Sequence, residues 1–401
     1  MNNKNNMILG DRVLWVALGL LSIFSFLPVF SASSNLTYVV GHGTPWSHLL
    51  KHFIVLLFGY ALMYILHKIP YNYFKGISIL ALPLIILLLI YTASQGNLIS
   101  GANANRWIKI PIVGLSFQTS ALASIVLLAY VAHLMSKNNP RMYRLNSSIL
   151  PLWLPVFLVI FLVLPANFST AALLFFMVLI LVFIGGYPIK YLLGMLVVGL
   201  LMTILFILIA KAYPEWVPNR VDTWFNRIEN FKNAEESNGN YQIERAKTAI
   251  ATGGLLGLGA GKSVMKNFLP QSSSDFIYAI IVEEFGLVGG TALILLYLLV
   301  LFRIIVIAHK SDTAYGKLLV LGLGLPIIIQ AFVNIAVALQ VFPVTGQTLP
   351  LISSGGTAAW MTCIAFGMIL SVSAGQKIKS DLSEKSEYNM ENPLTILSET
   401  I

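Results

Sequence analysis

Tyr191-Leu-Leu-Gly-Met-Leu-Val-Val-Gly-Leu-Leu-Met-Thr-Ile-Leu-Phe-Ile-Leu-Ile-Ala210 carries no charge in 20 residues and ends against Lys211. A helix of that length rises about 30 Å, the thickness of a bilayer's hydrocarbon core, whereas a surface helix of a soluble protein would show a polar face. Similar runs lie near 13–31, 48–66, 76–92, 118–135, 149–164, 170–186, 286–308, 318–341 and 357–373. With 57% hydrophobic and only 10% charged residues, the composition agrees. The reading is an all-α polytopic membrane protein of about ten transmembrane helices, with both termini on one side.

Basic residues in short loops set the orientation, because they resist translocation. With the N-terminus inside, 14 Lys and Arg fall in cytoplasmic segments and three, Lys51, Arg106 and Lys109, in short outer ones. That asymmetry predicts both termini in the cytoplasm, with the first span retained and the chain starting near Met1. The net charge of +9 is then mostly loop charge facing an anionic leaflet, and nucleic acid is not an expected partner. Trp15, Trp46, Trp153 and Trp360 sit near span ends and read as interfacial anchors. The single Cys363 excludes an intramolecular disulfide, and His48, His52 and His133 lack the spacing of a metal site.

Charge concentrates in one place. Between the seventh and eighth spans, about 211–275, eight basic and seven acidic residues form a large extracytoplasmic loop, the one segment long enough to fold over a substrate. Asn230–Tyr241 reads as a loop and Gln242–Thr252 as a helix stopped by Gly253-Gly254. Residues 1–376 therefore form one transmembrane domain, and 377–401 reads as a disordered cytoplasmic tail. Gly257-Leu-Gly-Ala-Gly-Lys-Ser263 imitates a phosphate loop, but Leu256 stands where a Walker motif needs its first glycine. Gln330 and Asn334, four apart on one helix face, predict a hydrogen bond to a neighbouring helix.

Two shorter outer segments, 101–120 and 343–356, are rich in Gly, Pro, hydroxyl and basic residues. Irregular backbone beside hydrocarbon must be buried in protein or line a wet cavity, so these segments and the long loop are expected to enclose one. Asp275 opens the eighth helix, where Ser272 to Asp275 suit an N-cap. An acid at the mouth of an apolar bundle also suits a general base. Glycoside hydrolysis is disfavoured: Glu283 lies about 12 Å further along the helix and Glu284 points away, so no second carboxyl completes a pair. Transfer to a hydroxyl from a pyrophosphate leaving group needs only one base plus cations, for which Arg106, Lys109, Arg245, Lys262 and Lys266 are candidates.

Several short runs, in order, carry a resemblance: Arg106-Trp107-Ile108 with Gln118 and Ser120; Tyr241-Gln242 with Gly253-Gly254; Phe268-Leu269-Pro270 with Ser274-Asp275-Phe276; Glu283-Glu284 with Gly286; Pro343-Val-Thr-Gly346; and Ser353 with Gly355-Gly356. Over nearly the whole chain the sequence resembles the SEDS family of bacterial shape and division proteins, FtsW, RodA and SpoVE. Arg106-Trp-Ile-Lys-Ile-Pro and Leu269-Pro-Gln-Ser-Ser-Ser-Asp275 are most similar to its FtsW branch. The resemblance implies a peptidoglycan glycosyltransferase acting on lipid II in the bacterial inner membrane at the division septum, with Asp275 as the essential acid.

It also implies substrate contacts at Arg106, Trp107, Lys109, Gln118, Gln242, Arg245, Lys262, Lys266, Ser353 and Gly355, with or without a divalent cation (Mg or Mn) at the pyrophosphate. The implied partners are a class B penicillin-binding protein of the FtsI type and regulators of the FtsQLB and FtsN type. The chain departs from the family pattern at Thr119, Ala121, Ser124 and Asn167, which replace a proline, an acid, a lysine and an acid. A lipid II flippase or a RodA-like elongation enzyme are the alternatives; a flippase should carry coupling charges at mid-membrane.

Overall fold

The computed structural model describes residues 8–38, 44–94, 98–99, 102–103, 107–109, 116–137, 144–212, 221–232, 241–269 and 272–391. In chain order the helices begin with α1 (Arg12–Tyr38), α2 (Pro45–Leu66), α3 (Tyr73–Ser94) and α4 (Thr119–Ser136). The fifth span joins α5 (Leu145–Ser148) through a π turn, Ile149–Trp153, to α6 (Leu154–Val163). Pro151 and Pro155 lack the amides a regular helix needs there, which favours the wider turn. Next come α7 (Phe168–Ile184) and α8 (Ile189–Ala212), then two extramembrane helices, α9 (Val221–Lys232) and α10 (Tyr241–Gly253). The chain closes with α11 (Ile277–Lys310), α12 (Ala314–Ala338) and α13 (Gly356–Glu391).

Among the described residues, nine segments are long and apolar enough to cross a membrane; α7, at 17 residues, is the shorter tenth. The ten expected spans are therefore present. Between α3 and α4 lie two small hairpins, β1 (Leu98–Ile99) with β2 (Ala102–Asn103) and β3 (Trp107–Lys109) with β4 (Ser116–Gln118).

Burial is uneven around the bundle. In α13, 78% of the membrane-crossing window is buried, against 11% in α8. Small residues explain the close packing of α13: a Cβ on Gly59 would lie 2.8 Å from Cys363 Sγ, and one on Gly367 would lie 3.1 Å from the Met63 backbone. Helix α8 instead stands off, leaving an apolar groove of about 210 Å³ lined by Phe157, Phe161, Phe168, Phe175, Leu196 and Thr203. At the far end of α11 from Asp275, Arg303 pairs with Asp11, which also caps the first turn of α1 through Leu14 N at 2.8 Å.

Three expectations change. Trp153 is buried and donates from Nε1 to Tyr187 Oη at 3.2 Å, and Trp360 donates to Val55 O at 2.9 Å, so these two indoles bind helices together. Trp46, 70% exposed, keeps the character of an anchor. Helix α13 continues to Glu391 where a disordered tail was expected; residues 378–391 hold no Gly or Pro to stop it, and half of them are good helix formers. Residues 392–401 of that tail lie outside the described residues, as do 233–240 of the expected loop; Asn230 to Lys232 finish α9.

Candidate functional site

The glycine run explains itself first. Helix α11 breaks at Gly286 (φ 68°, ψ −172°), a conformation that disfavours any side chain. The backbone groups freed by the break pair with the preceding loop: Leu258 N donates to Glu283 O at 2.9 Å and Gly259 N to Glu284 O at 3.0 Å. In return Leu287 N donates to Gly254 O at 2.9 Å. A Cβ on Gly257 would meet Glu284 O at 2.2 Å, and one on Gly286 would meet Leu255 O at 2.2 Å. Of the glycines that mimic a phosphate loop, Gly257 is thus required because two backbones touch, whereas Gly259 (φ 102°) and Gly261 (φ 78°) suit the left-handed backbone there.

Glu283 and Glu284 belong to the same clamp. Glu283 accepts from Ser263 Oγ and from the amides of Val264 (3.0 Å) and Met265 (3.1 Å). Glu284 accepts from Ser31 Oγ on α1 and from Ser263 N at 3.3 Å. Buried carboxylates of this kind hold the loop against the bundle. Lys266 joins them, donating to Ser31 Oγ at 3.2 Å and Gly261 O at 2.8 Å.

Asp275 lies in the turn 272–276 just before α11. The N-cap position is Phe276, whose side chain makes no capping bond, so the N-cap falls one residue past the run Ser272 to Asp275 expected to supply it. The reason is packing: Phe276 is fully buried in a small core with Ala246, Ala249, Leu269, Ala279, Ile280 and Val337, which draws the chain inward one residue past the acid. Asp275 itself stays partly exposed.

The segment joining α12 to α13 grips this turn through its backbone. Ser353 Oγ donates to Ser274 O at 2.5 Å and accepts from Leu349 N at 2.8 Å, while Ser354 N donates to Ser273 O at 2.9 Å. Asn334 Nδ2 donates to Asp275 O at 2.8 Å and Gln347 O at 2.7 Å, and Gln330 Nε2 donates to Thr348 O at 2.9 Å. The pair expected to join two helices therefore fastens the site's irregular backbone instead, because those carbonyls have no helical partner. Gly346 (φ 69°) passes so close that a Cβ there would lie 3.5 Å from Asp275 Oδ2. Leu351, a non-glycine residue at φ 62°, marks strain in the same segment.

The remaining residues singled out in the sequence divide. Gln118 joins the site's rim: its amide donates to Thr357 Oγ1 at 3.3 Å at the start of α13, and its Nε2 reaches Ser120 Oγ at 3.1 Å. Gly355 N donates to Ser353 O at 2.8 Å, keeping Gly355 beside the grip. Arg245 on α10 lies over the rings of Tyr241 (4.9 Å) and Phe268 (5.8 Å), next to half-buried Gln242. Lys262 is exposed. Arg106 lies outside the described residues, and of Trp107 and Lys109 only the backbone is described, paired with Gln118 and Ser116.

The four departures are absorbed locally. Asn167 caps α7 through Thr170 N at 3.3 Å, and Thr170 Oγ1 accepts from Gln347 at 2.9 Å. Ser124 bonds Ser120 O at 2.9 Å, Thr119 is buried, and Ala121 is half-buried against the core.

Arg227 escaped the sequence reading. It donates from Nη1 to Val344 O at 3.2 Å, and burial lowers its pKa while the Asp275 charge pushes it back up. The signal available was the i, i+3, i+7 spacing of Val221, Trp224 and Ile228, which marks an amphipathic helix with Arg227 beside its apolar face. No cluster of three or more His, Cys, Asp or Glu able to hold a metal occurs among the described residues; Glu283 is occupied by loop donors, and Glu284, bonded through Oε1 to Ser31 and Ser263, leaves only Oε2 without a hydrogen-bond partner. These residues do not fit a resident divalent cation.

Residues 11–378 match the family of cell cycle proteins that groups FtsW, RodA and SpoVE. A probable peptidoglycan glycosyltransferase FtsW of Coxiella burnetii is 30% identical over 89% of this chain and 95% of its own. One of Marinomonas mediterranea is 29% identical over 93% and 91%. Among solved structures, a chain of a peptidoglycan synthase complex superposes with a TM-score of 0.69 at 25% identity, covering 92% of this chain and 98% of that one. Thermus thermophilus RodA, 24% identical over 92% of this chain and 97% of its own, shares the fold with a TM-score of 0.65. With the fold, the motif order and all but the ends of the sequence in agreement, the chain belongs to the FtsW/RodA/SpoVE family of cell cycle proteins.

Proposed function

We propose that this protein is a peptidoglycan glycosyltransferase that polymerises lipid II on the outer face of the bacterial cytoplasmic membrane, with Asp275 as general base. The observation that carries the reading is the grip on Asp275: Asn334 holds its own carbonyl and Ser353 the carbonyl before it, so the carboxyl group stands on a turn whose backbone is fixed at the mouth of the bundle. A base must be held within hydrogen-bond reach of the proton it removes, and fixing the backbone on both sides achieves that.

In the reaction, Asp275 takes the proton of the acceptor's 4-hydroxyl as its oxygen bonds to the donor's anomeric carbon. The bond from that carbon to the pyrophosphate oxygen breaks, its electron pair leaves with undecaprenyl pyrophosphate, and the anomeric centre inverts. Gln118 and Gly355, on the rim beside the grip, and Arg245, Gln242, Lys262 and Lys266 on the overlying loop are the proposed substrate contacts, with Arg106, Trp107 and Lys109 on the adjoining segment. No step runs through a metal.

The basic-residue asymmetry puts both termini in the cytoplasm and Asp275 outside, where the lipid-linked disaccharide is presented. The FtsW names of the relatives favour the septum as its location, a class B penicillin-binding protein of the FtsI type as partner, and FtsQLB- and FtsN-type regulators.

The test is lipid II polymerisation by the purified protein, alone and with a class B penicillin-binding protein. Asp275→Asn should abolish glycan strands, a loss of about 100-fold or more for removal of a general base, with the melting temperature unchanged. Full activity of Asp275→Asn would sink the mechanism. In cells, depletion should give filaments; rounded cells would assign the protein to elongation.

A further inference from the structure

Among the described residues, Arg227 is a basic side chain that a separate helix, α9, brings to the segment beside the Asp275 turn. Helix α9 is pinned at the membrane end of the long loop: Trp224 packs against Phe168 (5.0 Å between ring centroids) and Phe206 (6.0 Å), and Val221 is buried. Lys211 Nζ sits 4.4 Å over the ring of Phe225. Trp224 thereby ties α9 to α7 and α8 at once, and Arg227, one turn further on, projects towards the segment that lines Asp275.

Three contacts converge there. Arg227 Nη1 donates to Val344 O at 3.2 Å. Val344 packs against the small core that buries Phe276, the residue after Asp275. Two residues beyond Val344, Gly346 comes so close to Asp275 that a Cβ would lie 3.5 Å from its Oδ2. The competing description, a solvated loop charge, does not fit a half-buried guanidinium whose desolvation calls for a compensating anion. Among the described loop cations, Arg245 engages Tyr241 and Phe268, Lys247 engages Gln340, and Lys266 engages Ser31 and Gly261, while Lys262 is exposed.

We infer that Arg227 is a positioning residue for the transfer, a fixed cation that holds the Asp275 carboxylate ionised and braces the 343–347 segment against it. The inference rests on Asp275 being the base. An acid at the edge of an apolar bundle tends to take up a proton, and a protonated carboxyl accepts none from the incoming hydroxyl; a neighbouring guanidinium opposes that uptake. The requirement is for charge more than for a hydrogen bond, and that distinction is measurable.

Lipid II polymerisation by the full-length protein would be compared for wild type, Arg227→Gln, Arg227→Lys, Asp275→Asn and Trp224→Phe, each with its melting temperature. Glutamine keeps a donor for Val344 O without charge, and lysine keeps the charge. Arg227→Gln should lower kcat about tenfold or more with KM within about twofold and the melting temperature held, while Arg227→Lys retains most of the activity. Trp224→Phe, which loosens α9 without touching the charge, should lower melting temperature and activity together. Full activity in Arg227→Gln, equal damage by Gln and Lys, or a fall in Arg227→Gln that follows its melting temperature as in Trp224→Phe, would each overturn the assignment. Activity in Asp275→Asn would instead remove the reading beneath it, so the two failures are told apart.

Discussion

At the scale of residues, Ser353 and Asn334 do for the turn at Ser274 and Asp275 what a capping side chain would do for a helix, reaching the carbonyls of Ser274 and Asp275 from 79 and 59 residues away respectively. Ser353 is buried and satisfies one donor and one acceptor of the backbone. Ser353→Ala leaves both without that partner, which should cost about 1–3 kcal/mol of stability and loosen the turn. The expected outcome is a lower melting temperature together with a larger loss of kcat than of lipid II affinity; unchanged kcat would show that the grip is dispensable. Asn334→Leu removes two donated bonds and should be worse than Ser353→Ala in both measurements.

This part of the site was the least legible in the sequence, for a physical reason. Ser353, Gln330 and Asn334 each announced polarity, yet their partners are main-chain carbonyls and, for Ser353, a main-chain amide, which carry no side-chain signature. Asp275 itself was legible because an acid at the mouth of an apolar helix is costly and stands out.

At the scale of elements, the break in α11 and the run from Gly253 to Gly261 form one structure, and alanine substitutions dissect it. Gly261 (φ 78°) has nothing within 4 Å of a Cβ, so Gly261→Ala should cost only the left-handed backbone penalty, about 1–2 kcal/mol. Gly257 and Gly286 have similar φ values of 80° and 68° but face backbone atoms at 2.2 Å, so alanine there must also force two chains apart. Thermal denaturation followed by size-exclusion chromatography should rank Gly261→Ala mildest and the other two far more severe. Equal effects at all three positions would mean that the close approach carries no energy. Sequence reading placed α10 to within a residue or two, since Gly253-Gly254 stops it plainly. It missed the break, because the eighth helix reads as running from Asp275 straight into the apolar span at 286–308, and Glu283-Glu284 just before that span fit a helix still outside the hydrocarbon as well as they fit an interruption.

At the scale of the whole molecule, the ten spans were legible because the bilayer removes the polar face that complicates the reading of soluble helices. Their arrangement was not: α8 and α13 are both apolar, yet one stands at the edge and the other in the middle. What separates them is the distribution of small residues, whose effect depends on the facing helix. The looser packing predicts that α8 moves more than α2 against α13. Spin-label distances measured from α13 to Leu208 on α8 and to Leu57 on α2, both exposed positions, should be broad for the first and narrow for the second. Two equally narrow distributions would refute the loose packing of α8.

The pairing of residues 254–259 with 283–288 also bears on how such a protein can be altered. The hydrogen bonds that a continuous span would make within itself are completed here by a stretch of chain outside it, so part of the loop is wound into the span as its missing turn. A loop joined in that way is not a cassette. Exchanging 211–275 with that of a relative, or trimming it, would leave open backbone groups within a membrane helix unless the 253–259 stretch travels with its own α11, so insertions and chimaeric joints are tolerable only upstream of α10.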